Sequence, residues 1–338
     1  MSKPTISDIA KALNITPSTV SRALAGNPRV SEQTRLLVMK KAEELGYERN
    51  VLASSLRKGS TDTVGMVVPR INRQFFSNII SGAESILNPA GFNLIITQSH
   101  DRRDDEKRAV QALLRNQVAG IVISHSLETV DPVAFAQLFE GSEVVLVQFD
   151  RTFEGIGDME VTNDNYNGAY NATKHLIERG YKRIGYLGGD TSSNVYIDRC
   201  KGFEDALREA GMVVDETLIF EDSTTRDKGF YNAAKALERG CDALYCAGDY
   251  AALGVIEYAK AKGVSVPDEL GVVGTANEAF TDIVNPSLTT LEQNAFEMGS
   301  KVAQAFLDIK QGRNVPEKKI SIPLKLIVRD SSHGKKQN

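Results

Sequence analysis

The sequence predicts an α/β protein with a small all-helical head and a larger body of two similar halves. Three observations lead there. In residues 5–48, apolar side chains recur at helical spacing in three short runs, the first two separated by a tight turn. From Thr63 onward, continuous apolar runs alternate with amphipathic ones, the pattern of parallel strands buried between helices. Midway along the chain that alternation begins again.

In the head, Ile6, Ile9, Ala10 and Leu13 share one face, so the first helix runs over residues 6–13. Thr5 is placed to cap it, and Asp8 favours the positive end of the helix dipole. Asn14 tolerates the left-handed backbone of a tight turn. Thr16 and Pro17 restart a helix: a hydroxyl cap, then proline where its missing N–H costs nothing. Val20 and Leu24 give this second helix a buried side, and small Ala10 permits a close crossing. Its exposed face is then Thr16, Pro17, Ser18, Ser21 and Arg22. Small hydroxyls and one forked cation suit base edges and phosphates in a major groove. Ser31 caps a third helix, with Thr34, Val38, Ala42 and Leu45 spaced to pack on the first two. Three amphipathic helices could also form a core with no further role, and charge weighs against that. Residues 1–60 hold 10 Lys and Arg against 5 Asp and Glu, net +5, whereas the whole chain carries −4. A basic head on an acidic body is the footprint of nucleic-acid binding by the head.

A chain of 338 residues suggests two to three domains, and 41% hydrophobic residues permit sizeable cores. No apolar run approaches the ~20 residues of a membrane-spanning helix. Met1-Ser2-Lys3-Pro4 leads straight into the polar first helix, without the pattern of a signal peptide. Cys200, Cys241 and Cys246 are few and odd in number, which predicts reduced thiols in a cytoplasmic protein. His100, His125, His175 and His333 are scattered and form no metal motif, so neither metal nor cofactor is expected.

The body reads as strands over 64–69, 93–98, 120–124 and 144–149, with helices over 76–90, 103–117 and 132–139 between them. The second series is helix 165–180, strand 183–187, helix 198–211, strand 218–221, helix 226–239, strand 243–246, helix 249–263 and strand 270–274. Two such repeats predict two doubly wound subdomains with a cleft between them, and ligands of such sheets sit outside the carboxyl ends of the strands. The cleft walls are therefore expected at Phe75, Phe76, Gln98, Ser124, His125, Asp150, Arg151, residues 190–199 (Tyr196 and Arg199 among them), Asp222, Asp249 and Asn277. Either Phe75 or Phe76 plugs the core, and Phe76 could instead stack on a sugar face or a ring base. Arg199, read as opening a helix, could fork onto paired hydroxyls or a carboxylate. Asp150 could accept hydroxyl hydrogen bonds. Asp249 reads equally as a helix cap. The glycines at 185, 188 and 189 lack the spacing of a dinucleotide fingerprint, and no Walker lysine, nucleophile elbow or His-Glu metal motif is present.

Several strings carry a resemblance. They include Thr5-Ile6-Ser7-Asp8-Ile9-Ala10, Ser18-Thr19-Val20-Ser21-Arg22-Ala23-Leu24, Val30-Ser31-Glu32-Gln33-Thr34-Arg35 and Glu44-Leu45-Gly46-Tyr47. Asn50, Ala53, Leu56-Arg57 and Gly59 follow. In the body stand Phe75-Phe76-Ser77, Asp164-Asn165, His175-Leu176-Ile177-Glu178-Arg179-Gly180, Arg199 with Gly202-Phe203, Gly248-Asp249 and Pro286-Ser287-Leu288-Thr289-Thr290. Together they resemble the LacI/GalR family of bacterial transcription regulators, densely in the head and more loosely to about Arg329.

The resemblance implies a helix-turn-helix DNA-binding domain over 1–48 and a hinge helix over 49–60. It implies an effector-binding core akin to periplasmic sugar-binding proteins. One subdomain is formed by 61–160 with 292–321, the other by 161–291 with 322–330, and a polar tail covers 331–338. By the resemblance, Thr5, Thr16, Pro17, Ser18, Ser21, Arg22, Asn27, Arg29 and Thr34 face DNA. Asn50, Ala53 and Leu56 serve the hinge, with Leu56 the leucine pushed into the minor groove, where an apolar wedge bends the duplex. Phe75, Phe76, Gln98, Ser124, Asp150, Tyr196, Arg199, Asp249 and Asn277 are the effector-binding residues. The partners implied are a pseudo-palindromic operator in double-stranded DNA, a sugar or sugar derivative, and a second copy of the chain, with no membrane and no catalytic activity. Two departures stand out. Arg49 replaces the usual proline before the hinge asparagine, and Ala276 replaces an aspartate found in many sugar-responsive members. The expectation is a cytoplasmic, homodimeric repressor controlled by a small molecule. The rival readings are a sensor without DNA binding and an enzyme on the α/β body.

Overall fold

The computed structural model describes residues 4–24, 26–47 and 61–334. The chain divides into two compact units, Met1–Thr61 and Asp62–Asn338.

The first unit holds α1 (Ile6–Leu13), α2 (Pro17–Leu24) and α3 (Glu32–Glu44). The Asp8 carboxylate accepts both the amide N–H and the hydroxyl of Thr5, at 2.8 and 2.7 Å, and Asn14 makes the turn with φ 54°. Ile9, Ala10, Val20, Ala23, Val38 and Ala42 form its buried core. Leu45 does not join them. α3 ends at Glu44, and Gly46 at φ 62° reverses the chain so that the Tyr47 amide reaches the Ala42 carbonyl at 2.8 Å. Tyr47 packs on the core in place of Leu45.

The second unit contains two six-stranded sheets. The first is ordered β11-β5-β4-β3-β1-β2, from β1 (Thr63–Val68), β2 (Asn93–Gln98), β3 (Gly120–Ile123), β4 (Val145–Phe149), β5 (Met159–Asn163) and β11 (Lys319–Ile322), all parallel. Its helices include α4 (Gln74–Leu87), α5 (Arg103–Arg115), α6 (Pro132–Ala136) and, from late in the chain, α11 (Ala295–Lys310). The second sheet follows the order β12-β10-β9-β8-β6-β7. Its strands are β6 (Ile184–Leu187), β7 (Ile219–Phe220), β8 (Ala243–Cys246), β9 (Gly271–Thr275), β10 (Thr289–Glu292) and antiparallel β12 (Lys325–Ile327). α7 (Asn165–Glu178), α8 (Asn194–Glu209), α9 (Arg226–Glu238) and α10 (Asp249–Lys262) cover it. Central strands β1, β3, β4, β6, β8 and β9 are buried along most of their length, as continuous apolar runs require. Edge strands β2, β11 and β12 are less buried, and Ile95 and Ile96 of β2 are exposed.

Three helix pairs cross at backbone contact. A Cβ on Gly82 or Gly299 would overlap the opposing carbonyl of Phe296 or Ile79, where α4 meets α11. Gly202 serves α7 and α8 in the same way, and Gly229 with Gly254 serves α9 and α10.

The chain crosses between the halves after β5, after β10 and between β11 and β12. The first crossing follows Asn163, because β5 stays in the first sheet beyond residue 160. The buried amides of Asn163 and Gln293 lace the crossings together. Asn163 Nδ2 donates to the Gln293 carbonyl at 2.9 Å and Gln293 Nε2 donates to Asn163 Oδ1 at 3.2 Å. Asn294 Nδ2 ties the third crossing through the Pro323 carbonyl at 3.1 Å.

Candidate functional site

In the head, the outward side of α2 presents Thr16, Pro17, Ser18 and Arg22 to solvent, with Ser21 half-buried. Val20 and Ala23 anchor the opposite side in the core. The Thr16 hydroxyl lies 2.9 Å from those of both Ser18 and Thr19 and accepts the Thr19 amide at 3.2 Å, so it caps the helix. Asn27 Oδ1 accepts the Arg29 amide at 3.0 Å, leaving the Arg29 side chain exposed. Ser31 caps α3 through the Thr34 amide and shares a 2.8 Å hydroxyl contact with Thr34. Thr5, held by Asp8, is exposed. Asn50, Ala53, Leu56 and the Arg49 departure lie outside the described residues.

In the body, the strand order reverses between β1 and β3 in one sheet and between β6 and β8 in the other. Crevices at such switch points lie at the carboxyl ends of the strands. Ser124 follows β3, and its hydroxyl donates to Asp150 Oδ2 at 3.4 Å. Asp150 follows β4 with φ 58° and is buried. Burial pushes its carboxyl above the usual range, while Arg151, Arg199 and the Ser124 hydroxyl pull the other way. Arg199 is also buried. Its Nε donates to Asn165 Oδ1 at 2.9 Å and its Nη1 to the Ala247 carbonyl, at the end of β8, at 2.8 Å. The Tyr196 ring centroid stands 5.9 Å from its guanidinium. Arg199 does not open a helix, as the sequence suggested. α8 begins at Asn194 after Ser193, because Val195 already packs inward, so Tyr196 and Arg199 lie within the helix.

Four other expected ligand contacts are committed elsewhere. Phe76 is buried in the core of the first half, edge-on to Phe75 at 5.1 Å, and Phe75 is only partly buried. Gln98 Oε1 accepts the Ile71 amide at 2.9 Å. Asp249 is not a helix cap: α10 is capped at Gly248, and Asp249 is buried with both oxygens engaged. Oδ1 accepts the Thr290 hydroxyl at 2.6 Å and Oδ2 the Glu278 amide at 2.8 Å. Gly274 makes room for that carboxylate. Asn277 donates to Glu292 at 2.8 Å and accepts from Arg329 Nη2 at 2.9 Å.

A cavity of about 370 Å³ opens between the halves. His125, Ser126 and Leu127 line it from the β3 end, Arg151–Phe153 from the β4 end, and Ser193, Asn194 and Ile197 from the start of α8. Phe153 supplies its aromatic wall, tilted against His125 at 4.3 Å. The Ser193 hydroxyl is buried and without a hydrogen-bond partner. Sequence reasoning reached His125, Arg151 and residues 190–199 through strand ends but missed Phe153. The signal available was an aromatic three residues beyond the polar end of a buried strand.

Residues 5–50 match the family model described as bacterial regulatory proteins, lacI family, and residues 173–332 match a periplasmic binding protein-like domain. The HTH-type transcriptional repressor CytR of Escherichia coli is 30% identical over 336 residues, covering 98% of this chain and 96% of that protein. The HTH-type transcriptional regulator RegA of Clostridium saccharobutylicum is 31% identical over 333 residues, 97% and 98%.

The chain belongs to the LacI/GalR family. It is a DNA-binding transcription regulator.

Solved structures carry the same architecture. A complex of the transcriptional regulator CelR with cellobiose superimposes with a TM-score of 0.73 at 29% identity, covering 97% of this chain and 99% of that one. The lac repressor dimer bound to operator superimposes with a TM-score of 0.85 at 22% identity, 98% and 99%, and shares the fold. Within this LacI/GalR chain, the Ala276 departure falls on unusual backbone. Ala276 has φ 119° and Asn277 φ 50°, so the segment after β9 turns back on itself and Asn277 faces Arg329 and Glu292.

Proposed function

We propose that this regulator is a homodimeric repressor that reads a pseudo-palindromic operator and answers to a sugar or sugar derivative bound between the two halves of its body. The observation that carries the DNA reading is the solvent face of α2, where Thr16, Pro17, Ser18 and Arg22 stand free of the core in a head of net positive charge. A twofold dimer calls for a twofold site. The sugar reading is supported by the cavity's mix of one aromatic wall and several hydroxyl and amide side chains, a composition suited to a polyol with one apolar face. It is supported also by the cellobiose bound to CelR and the D-xylulofuranose bound to a 26% identical regulator from Alkaliphilus metalliredigens. The three unpaired cysteines fit a reducing cytoplasm.

No catalytic role is proposed. The buried His125 lies 3.2 Å from Glu106, but its Nε2 faces the amide oxygen of Gln148 at 2.8 Å. Gln148 is held in that orientation by the Phe153 amide, so both imidazole nitrogens are engaged.

The test selects an operator from random duplexes with the full-length protein and measures affinity by fluorescence anisotropy. Arg22→Ala is expected to weaken binding by about 10- to 100-fold, the worth of one good bidentate base contact. Undiminished affinity in Arg22→Ala would take Arg22 out of the DNA face, and a selection that enriches no duplex would favour the DNA-independent sensor. Thermal unfolding against a panel of sugars, sugar acids and sugar phosphates addresses the effector. A ligand at ~100 times its dissociation constant adds roughly 2.7 kcal/mol. Asn194→Ala, which removes an amide that lines the cavity, should remove most of that gain. A full gain in that variant would take Asn194 out of the site.

A further inference from the structure

The two edges of the cleft are built differently. At one edge, Arg73 and Gln74 at the start of α4 meet the second half at three points. The Arg73 guanidinium lies 4.1 Å from the ring centroid of Tyr250, which is itself edge-on to Phe280 at 5.1 Å. Arg73 also bears on the buried Glu278 carboxyl, which burial pushes up and Arg73 draws down. Gln74 Oε1 accepts the Ala279 amide at 2.7 Å. The strap that offers these groups is fixed on its own half. Ala276 and Asn277 hold positive φ, Asp249 accepts the Glu278 amide, and Arg329 donates to Asn277. Backbone of that kind persists only where its surroundings over-determine it.

At the other edge the contacts are longer and surround the cavity. Asn194 reaches the Asp150 carbonyl at 3.2 Å and the Thr152 hydroxyl at 3.5 Å, and its Oδ1 accepts the Thr152 amide at 3.3 Å. Ser192 reaches the Leu127 carbonyl at 3.5 Å. The first of these lies at the long end of the ordinary range and the other three beyond it.

We propose that Arg73, Gln74, Tyr250 and Ala279 form a latch that keeps one edge of the cleft closed without a ligand, confining ligand-driven movement to the Asn194 edge. Assigning the movement to a ligand rests on the effector reading above. The latch itself does not, and it is tested without one.

The measurement is residue-resolved amide hydrogen exchange on the full-length, ligand-free protein. Ala279 is exposed, so protection of its amide reports the bond to Gln74. The Ala279 amide is expected to be protected and the Thr152 amide to exchange faster. Gln74→Ala should speed exchange at Ala279 by about tenfold, the worth of one net hydrogen bond. Tyr250→Ala leaves both partners of that bond in place and should also speed it, because the ring and the amide dock as one unit. The core amide of Val255 should stay unchanged in both variants, showing that they fold. An unprotected Ala279 amide in the wild type would overturn the latch. So would an Ala279 rate that Tyr250→Ala does not move, since the hydrogen bond would then act alone. Failure of every sugar to shift the melting curve would count against the effector reading and leave these exchange rates as they are.

Discussion

Replacing Gly254 with alanine is expected to destabilise the body by about 2–4 kcal/mol. On helix propensity alone the exchange should help by about 1 kcal/mol, since glycine is a poor residue for a helix interior. Geometry reverses the sign. A methyl group at this position would overlap the Arg226 carbonyl oxygen and press on the Phe230 amide, both of them backbone. Neither can swing aside as a flexible side chain would, so α9 and α10 must separate. Both helices contribute small residues to one buried cluster, among them Ala233, Ala236, Ala251, Ala252 and Ala259, and Phe230 of α9 meets Tyr258 of α10 edge-on at 5.2 Å. Separation would open voids along the whole pair. Urea denaturation of the full chain should show a lower midpoint with little change in slope. Equal or greater stability in Gly254→Ala would mean that the helices do not meet at backbone contact.

The second large effect is a pH dependence centred on Asp249. Burial pushes its carboxyl up to about 7, although the Thr290 hydroxyl and the Glu278 amide both favour the charged form. In the unfolded chain the same group titrates near 3.8. Between these values the folded protein holds a proton that the unfolded chain has released. Stability is therefore greatest at the acid end of the window and is lost as pH rises from about 4 to about 7. The full span is on the order of a few kcal/mol. Asp249→Asn removes the ionisable group and retains hydrogen-bonding capacity toward Thr290 and Glu278. The variant should be more stable than wild type at pH 8, and the gap should narrow as pH falls towards 4. Asp150 and Glu278 are also raised by burial and contribute with the same sign, so the difference between variant and wild type isolates Asp249. A gap that stays constant from pH 4 to pH 8 would show that Asp249 is ionised throughout.

How much of this was legible in the sequence depends on how local the determinant is. The head could be read because its caps, turn and apolar stripe are set within a few residues of one another. Asn14 lies in the left-handed region and Thr16 caps α2, as their types suggested. The central strands could be read because burial on both faces leaves unbroken apolar runs. α11 could have been found, since Met298, Val302, Ala305 and Phe306 keep helical spacing. Its membership of the first half came from the family resemblance alone, because spacing along the chain does not show contacts with residues far earlier, such as Gly82. The effector residues were the least legible. Asp249 and Asn277 occupy strand-end positions that suit a ligand contact, but Thr290 and Arg329, distant in sequence, already occupy their polar atoms. Whether a polar side chain faces a cleft or a neighbour is decided by tertiary packing, which spacing along the chain does not encode.

The laced crossings carry a mechanical consequence. Three independent ribbons would let the halves slide, twist and splay as separate modes, and the binding energy of a small molecule would be spread among them. Here Asn163 bonds Gln293 in both directions, and Asn294 bonds the third ribbon at Pro323. Displacing one ribbon therefore drags the other two. The glycine crossings do the same within each half, since helices in backbone contact transmit a push without deforming. Ribbons coupled in this way concentrate the binding energy of a small molecule on fewer modes of movement between the halves, and a bound-or-unbound operator can use an output of that form.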